Sequence, residues 1–309
     1  DSLLYIDSLL PNQNYSFQVS SNQNPVSSNK VNAITLDTTS HNFTWQTFEF
    51  GQHSSSTLYD VAIINENDIW AVGEIYMNDS LGQSIRYNAV HWDGSEWGLK
   101  RIYYYGDCSA VTYPPLTAIW AFDANNIVVT NGGSIGWFNG NSVNLDCRMN
   151  PLLTAAINKL WGISSNDLYA VGNNGNLAHF NGASWTKIES GTTTNINDAW
   201  GFSDKGNSIV YCPVSSVFNP PQDKKILQLI DNKVDSFNWS INRIVYSCWT
   251  NNTNFLYVCG EGVFVNKFGT WEQINLPSIS TNSIRGNGIN DFFIDGDYGF
   301  IAHFNGKSW

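Results

Sequence analysis

The sequence predicts an all-β fold, a β-propeller of four-stranded antiparallel blades, and three observations predict it. A segment of about 40 residues recurs along the chain, each copy splits into short apolar runs of strand length, and the splits fall at Asn-Gly, Asp-Gly and Asn-Asp pairs. Residues 157–201, INKLWGISSNDLYAVGNNGNLAHFNGASWTKIESGTTTNINDAWG, are the plainest copy.

Each copy keeps one order. An inner strand (KLWGI) leads through an Asn/Asp turn to a second strand (LYAVG), then a loop, a third strand (LAHF), an Asn-Gly turn and a fourth strand that opens with Trp. Tight hairpin turns need positive φ, which Asn-Gly and Asp-Gly supply, so the unit reads as a meander with both turn residues left-handed. Aligned on Trp161, the copies set Ala62, Trp120, Trp200, Trp249 and Arg285 at the same position, with spacings of 58, 41, 39, 49 and 36 residues. One such sheet cannot cover both its faces, so the copies must stack around an axis, with Trp161, Trp185, Trp200 and Trp271 in the core between blades.

Six inner-strand starts predict six visible blades, and two closures stay open. Residues 43–50 (FTWQTFEF) match the outer strand ASWTKIES, so they complete the sixth blade, or else a seventh blade follows and borrows them. GKSW at 306–309 already opens a fourth strand, which favours seven blades in the intact protein.

Residues 1–38 follow another pattern, 39–43 are a polar linker, and 44–309 hold the repeats. The run SLLYIDSLLPNQNYSFQVSS with NKVNAITLD resembles the C-terminal half of a fibronectin type III domain. That resemblance implies a tyrosine corner, in which the hydroxyl of Tyr15 bonds to upstream backbone. Half a sandwich leaves an apolar face and an edge uncovered, so another segment or another chain is expected to complete it.

The repeats resemble the AVG-x-x-G-x-I…DGG-x-W units of bacterial propellers related to the photosystem II assembly factor and the Asp-box hairpin families. Together with the fibronectin-like segment, the resemblance implies a secreted or cell-surface protein of bacterial type, and it carries no catalytic residue over.

Composition excludes some partners. The net charge is -11, with 15 Lys and Arg against 26 Asp and Glu, and no basic stripe exists to follow a phosphate backbone, so nucleic acid is not an expected partner. No apolar run reaches the roughly 20 residues of a membrane helix, so direct membrane insertion is not expected. Five cysteines without a C-x-x-C pair argue against structural zinc. Cys108 and Cys147 sit in comparable loops, where they either pair as a disulfide or remain free thiols.

Long departures from the repeat fall at 74–88, 103–116, 145–156 and 213–225, all on the face where inner strands begin, called the top. Loops on a rigid scaffold are where binding concentrates. The candidate ligand-binding residues are Tyr76, Arg86, Tyr103, Tyr104, Tyr105, Asp107, Tyr113, Arg148 and Asp223, with Phe218 beside them. Tyrosine can stack on sugars or anchor a protein. The competing reading of Tyr103–Tyr105 is the end of an outer strand.

His91, His179 and His303 share one repeat position, which points to a structural hydrogen bond. DGDYG at 295–299 resembles part of a calcium loop, lacks its later acidic ligands, and aligns with VGNNG at 171–175. No cofactor and no metal is called for, and neither a nucleophile elbow, a P-loop nor an H-E-x-x-H helix is present. The sequons at Asn14, Asn42, Asn78, Asn238 and Asn251 matter only in a host that glycosylates. The expected function is a non-enzymatic binding or structural module, through adhesion or recognition of a polysaccharide or protein on the top face. The alternatives are a carbohydrate-active enzyme using Asp60, Asp107, Asp198 or Asp223, and a subunit that self-assembles through the half-sandwich.

Overall fold

The computed structural model describes residues 6, 9–22, 27–105, 111–147, 152–217 and 224–309, with only the backbone of Tyr104, Tyr105 and Val111. Near the start, β1 (Asn14–Phe17) pairs antiparallel with β2 (Val31–Ile34), Asn14 opposite Ile34. Leu10 N–H donates to the Tyr15 hydroxyl at 2.8 Å, so the corner contact with upstream backbone is made. Leu10, Val19, Val31, Ile34 and Leu36 remain exposed around it.

Six blades follow. The first is β3 (Thr57–Asn65), β4 (Asp68–Asn78), β5 (Ser84–Trp92) and β6 (Trp97–Lys100), succeeded by a short pair, β7 (Tyr104–Tyr105) and β8 (Val111–Thr112). The second is β9 (Ala118–Asp123), β10 (Asn126–Thr130), β11 (Ile135–Phe138) and β12 (Val143–Asp146). The third is β13 (Ile157–Ser164), β14 (Asp167–Gly172), β15 (Leu177–Phe180) and β16 (Trp185–Lys187). The fourth is β17 (Trp200–Asp204), β18 (Asn207–Val214), β19 (Lys225–Ile230) and β20 (Lys233–Phe237). The fifth is β21 (Val245–Trp249), β22 (Phe255–Gly260), β23 (Gly262–Lys267) and β24 (Thr270–Ile274). The sixth has three strands among the described residues, β25 (Thr281–Gly288), β26 (Asp291–Gly296) and β27 (Phe300–Phe304). Strands pair antiparallel in chain order within every blade, as the spacing predicts.

In blades 2 to 5 the alternate side chains of the inner strands feed two cores, one on either side of the sheet. Trp70 and Val72 of blade 1 pack with Ile119 and Ile127 of blade 2, and Val128 and Ile135 with Leu160 and Trp185 of blade 3. Trp161 and Tyr169 meet Val210 and Leu227, Tyr211 meets Val258 and Phe264, and Trp249 meets Phe292 and Ile294. Burying each such side chain contributes about 1.5–3 kcal/mol, and this is what keeps the tryptophans in the repeat.

Between blades 6 and 1 no such cluster forms among the described residues. On the facing sheets Val61 and Ile63 are 51% and 70% exposed, and Ile301 is 52% exposed. Residues 43–50, expected as a ring-closing outer strand, form no strand there. Their aromatic side chains explain the difference, because they seat on sheet faces instead of running along an edge. Phe43 packs on Phe293 and His303 of blade 6, at centroid distances of 5.2 and 4.8 Å, and Phe48 and Phe50 pack on Trp97 of blade 1 at 5.9 and 5.4 Å. The segment is a strap across the seam, tied at its start by Thr39 N–H to the Asn305 carbonyl at 3.1 Å.

The hairpin turns differ from expectation in one respect. Lys205–Gly206, Asp231–Asn232 and Phe268–Gly269 take positive φ at both turn residues, but at the Asn-Gly and Asp-Gly turns only the glycine does: Gly182 has +89° and Gly94 and Gly306 +93°, while the residue before each stays in ordinary space. The Asn or Asp uses its side chain instead. Asn181 Oδ1 accepts N–H bonds from Ala183 and Ser184 at 3.0 and 2.9 Å, and Asn139, Asn305 and Asp93 repeat the device. The bonds from Glu96 and Ser95 hold the Asp93 carboxyl down at about 2.

Candidate functional site

The top-face departure of blade 1 is a hairpin that outgrows its sheet. At Gly73 an added Cβ would lie 2.0 Å from the Thr57 carbonyl oxygen, and here the β4/β5 register shifts between Val72 and Ile75. Past the shift the two strands run on, Tyr76 opposite Arg86 and Asn78 opposite Ser84. Residues 52–56 fasten the projection. Gln52 N–H donates to the Tyr76 carbonyl at 2.7 Å, and Tyr76 N–H donates to Ser56 Oγ at 3.0 Å.

This hairpin brings four predicted residues together. The Tyr76 hydroxyl donates to Glu74 Oε1 at 2.6 Å, which raises the tyrosine's pKa, and Arg86 Nη1 meets the same carboxylate oxygen at 3.3 Å. Arg86 Nη2 donates to the Tyr113 carbonyl at 3.3 Å, and the Tyr103 ring stands edge-on to Tyr113 at 5.2 Å. Glu74, Tyr87 and Arg101 belong to the cluster and were not expected. The Arg101 guanidinium lies 4.6 Å from the Tyr87 ring centre and 5.0 Å from that of Tyr113, while its Nε donates to the Arg86 carbonyl at 2.9 Å. The one sequence signal was the Lys-Arg pair at the end of an outer strand.

Tyr104 and Tyr105 lie in β7, paired with Thr112 and Val111 of β8 in a two-stranded sheet apart from the outer strand β6, which ends at Lys100. Asp107, Arg148, Phe218 and Asp223 lie outside the described residues. Cys147 is disulfide-bonded, Cys108 lies outside the described residues, and Cys212, Cys248 and Cys259 are buried free thiols.

Of the four carboxylates offered for catalysis, the two among the described residues, Asp60 and Asp198, are committed to contacts between blades. Asp60, 8% exposed, is paired with Lys159 of blade 3, and its other oxygen accepts Ile119 N–H of blade 2 at 3.0 Å. Asp198, 4% exposed, meets Arg285 of blade 6 at 2.8 Å and accepts Cys248 N–H of blade 5 at 3.2 Å. Burial alone would raise the Asp198 carboxyl, but Arg285 and Lys159 outweigh it and the group sits below its ordinary range. Ser247 plays the same part, its hydroxyl accepting Ile284 N–H at 3.3 Å. Asp60, Lys159, Asp198 and Ser247 each stand two places before the residue aligned with Trp161. That position couples inner strands across blades.

The mouth of the axis is amide-rich. Asn197, Tyr246, Ser280, Asn282 and Asp297 line a shallow hollow there, and Asn158 Nδ2 donates to Asn173 Oδ1 at 2.8 Å. Two free carboxylates flanking a groove, the arrangement hydrolysis of a glycoside requires, do not occur among these residues.

The histidines are structural. His91, His179 and His303 present Nε2 to Asp68, Asp167 and Asp291 at 2.9, 2.6 and 2.9 Å, each aspartate opening the second strand of its own blade. The DGDYG segment folds as its alignment predicts, since 297–299 and 173–175 form the same turn with Tyr298 and Asn174 at φ +59° and +55°.

No protein-family model matches the sequence, and no curated protein does. Among solved structures the chain resembles YCF48 bound to a D1 peptide, with a TM-score of 0.60 and 12% identity over 86% of each chain. It resembles YCF48 from Cyanidioschyzon merolae at a TM-score of 0.56 and 12% identity, covering 83% of this chain and 98% of that one. It also resembles virginiamycin B lyase from Staphylococcus aureus at a TM-score of 0.54 and 10% identity, covering 83% and 86%. At these identities the likeness is one of fold.

Proposed function

We propose that the chain is a binding module of a secreted or cell-surface protein that takes a protein or peptide partner on its top face. The observation that carries this reading is the arginine and tyrosine cluster on the projecting hairpin of blade 1. Tyr and Arg are, with Trp, enriched as anchors at interfaces, Tyr for its large rigid area at small entropic cost and Arg for its planar fork of donors. A propeller of the same fold was solved with a peptide bound, which makes a peptide the first ligand to try. The disulfide at Cys147 supports an oxidising compartment. The lyase among the fold relatives motivates a hydrolase and lyase panel, but the pairing of Asp60 with Lys159 and of Asp198 with Arg285 favours binding over catalysis. The direct test is selection from a displayed random-peptide library, with a glycan array run in parallel. Enriched peptides that lose affinity in Tyr113→Ala support the reading, and a failure to enrich any peptide rejects it.

A second reading is assembly, and the exposed apolar residues around β1 and β2 favour it. In this view residues 1–38 are half of a fibronectin-like sandwich that a neighbour completes. Sedimentation of the chain with and without those residues decides the matter, and the same monomer in both would dismiss it. We propose likewise that a seventh sheet fills the seam, because Val61, Ile63 and Ile301 face it uncovered. Amide exchange at Val61 and Ile63 in the longest reading frame containing this chain tests that, and rapid exchange there would argue against it.

A further inference from the structure

Arg101 has no anion beside it among the described residues, although acids outnumber bases in the chain by 26 to 15. Arg86, next to it, is answered by Glu74. Of the Arg101 nitrogens only Nε is bonded, to the Arg86 carbonyl, and the two Nη groups make no bond to the described residues and reach solvent. The guanidinium is held between Tyr87 and Tyr113, so its free edge is fixed before any ligand arrives. Lys100, exposed and adjacent, has no carboxylate partner among the described residues either.

A planar cation held on aromatic faces, with both Nη groups open among the described residues, suits a bidentate oxyanion, and the oxyanion an unmodified peptide carries is a carboxylate. The stacking lowers the entropic cost of engaging it. We propose that Arg101 receives a carboxylate of the peptide partner, with Tyr103 and Tyr113 flanking the adjoining residues. This rests on the peptide-binding reading above and names the chemistry of its ligand.

The selected peptides supply the first readout, enrichment in acidic side chains or in free C-termini. Fluorescence anisotropy then uses three labelled probes built on one selected sequence. One carries internal Asp with an amidated end, one is uncharged with a free C-terminal carboxylate, and one is uncharged and amidated. The first two separate the sources of the carboxylate, and the third lacks it. We expect a carboxylate probe to bind, the uncharged amide to fail, and R101Q to weaken binding by about tenfold or more. R101K keeps the charge and loses the fork, so it falls between them, and it carries the test if R101Q melts early. Equal affinity in R101K and wild type overturns the bidentate site, as does equal binding of the uncharged amide. If wild type selects only uncharged peptides, this inference fails and the binding module stands. If it selects none, both fail.

Discussion

Asp198 and Arg285 meet at 2.8 Å across the axis, from blades 4 and 6, reaching over the inner strand of blade 5. The pair sits where three blades converge, and Ser247 of the intervening strand donates its hydroxyl to Asp198 at 2.6 Å. Removing one partner leaves a buried charge uncompensated, which costs more than the pair itself contributes.

Arg285→Met is therefore expected to destabilise the protein by about 2–3 kcal/mol in urea unfolding, a figure discounted because the arginine side chain is 30% exposed. Asp198→Asn in the same chain should restore much of the loss. The Asp198 carboxyl is held below its ordinary 3.8 in the fold, so the stability it adds is complete above that value and is lost as pH falls through the lower folded one. Stability measured from pH 6 downward should fall more steeply below about pH 4 in wild type than in Asp198→Asn.

The glycine that ends the second strand has a steric role, distinct from that of the turn glycines. Gly172 is extended, at φ -174°, and an added Cβ would lie 1.9 Å from the Ala156 carbonyl oxygen. Gly191 has φ +67° with nothing near its missing Cβ. Gly172→Ala should cost roughly 2–4 kcal/mol, as overpacking against backbone does, and Gly191→Ala about 1 kcal/mol from backbone strain alone. Comparable melting shifts for the two variants would contradict this.

The three free thiols should be silent. Burial, the leading cause in each case, pushes Cys212, Cys248 and Cys259 well above the usual thiol range. Alkylation at pH 8 should leave all three unmodified in the native protein and modify all three in denaturant, as read by peptide mass spectrometry.

Asp167 should matter more than its exposure suggests. It accepts from His179 and from Ser208 of the next blade, and these bonds outweigh the burial that would raise its carboxyl. Asp167→Ala is expected to cost about 1–3 kcal/mol, and Asp167→Asn less, in thermal or urea unfolding.

Much of this was legible because it repeats. The six inner-strand starts, the histidine position and the agreement of DGDYG with VGNNG all follow from comparing copies, and comparison separates structural residues from decoration. The pairs that cross the axis were not legible, since Lys159 lies 99 residues from Asp60 and Arg285 lies 87 from Asp198. Asp60, Lys159 and Asp198 share a place two before the aligned residue and Arg285 is itself an aligned residue, all of which was visible, but which acid meets which base depends on closure of the ring. The Arg101 stack was hidden for a related reason. Tyr87 reads as a strand residue and Tyr113 as part of a crossing, and only the overgrown hairpin brings both to one guanidinium. The strap at 43–50 matches an outer strand in pattern, and among the described residues its aromatic side chains cover sheet faces.

The uncovered seam also sets how the molecule comes apart. A ring closed by its own outer strand has no ends, so its blades melt together. Among the described residues each blade leans on its neighbours, and the first and sixth share only the aromatic strap instead of a common apolar cluster, so the seam is the weakest joint of the ring. Opening should then begin beside the strap and travel inward from both sides, with blade 3, the plainest copy of the repeat, among the last to exchange its amides. A partner that bridged blades 6 and 1 would make the ring a closed cooperative unit.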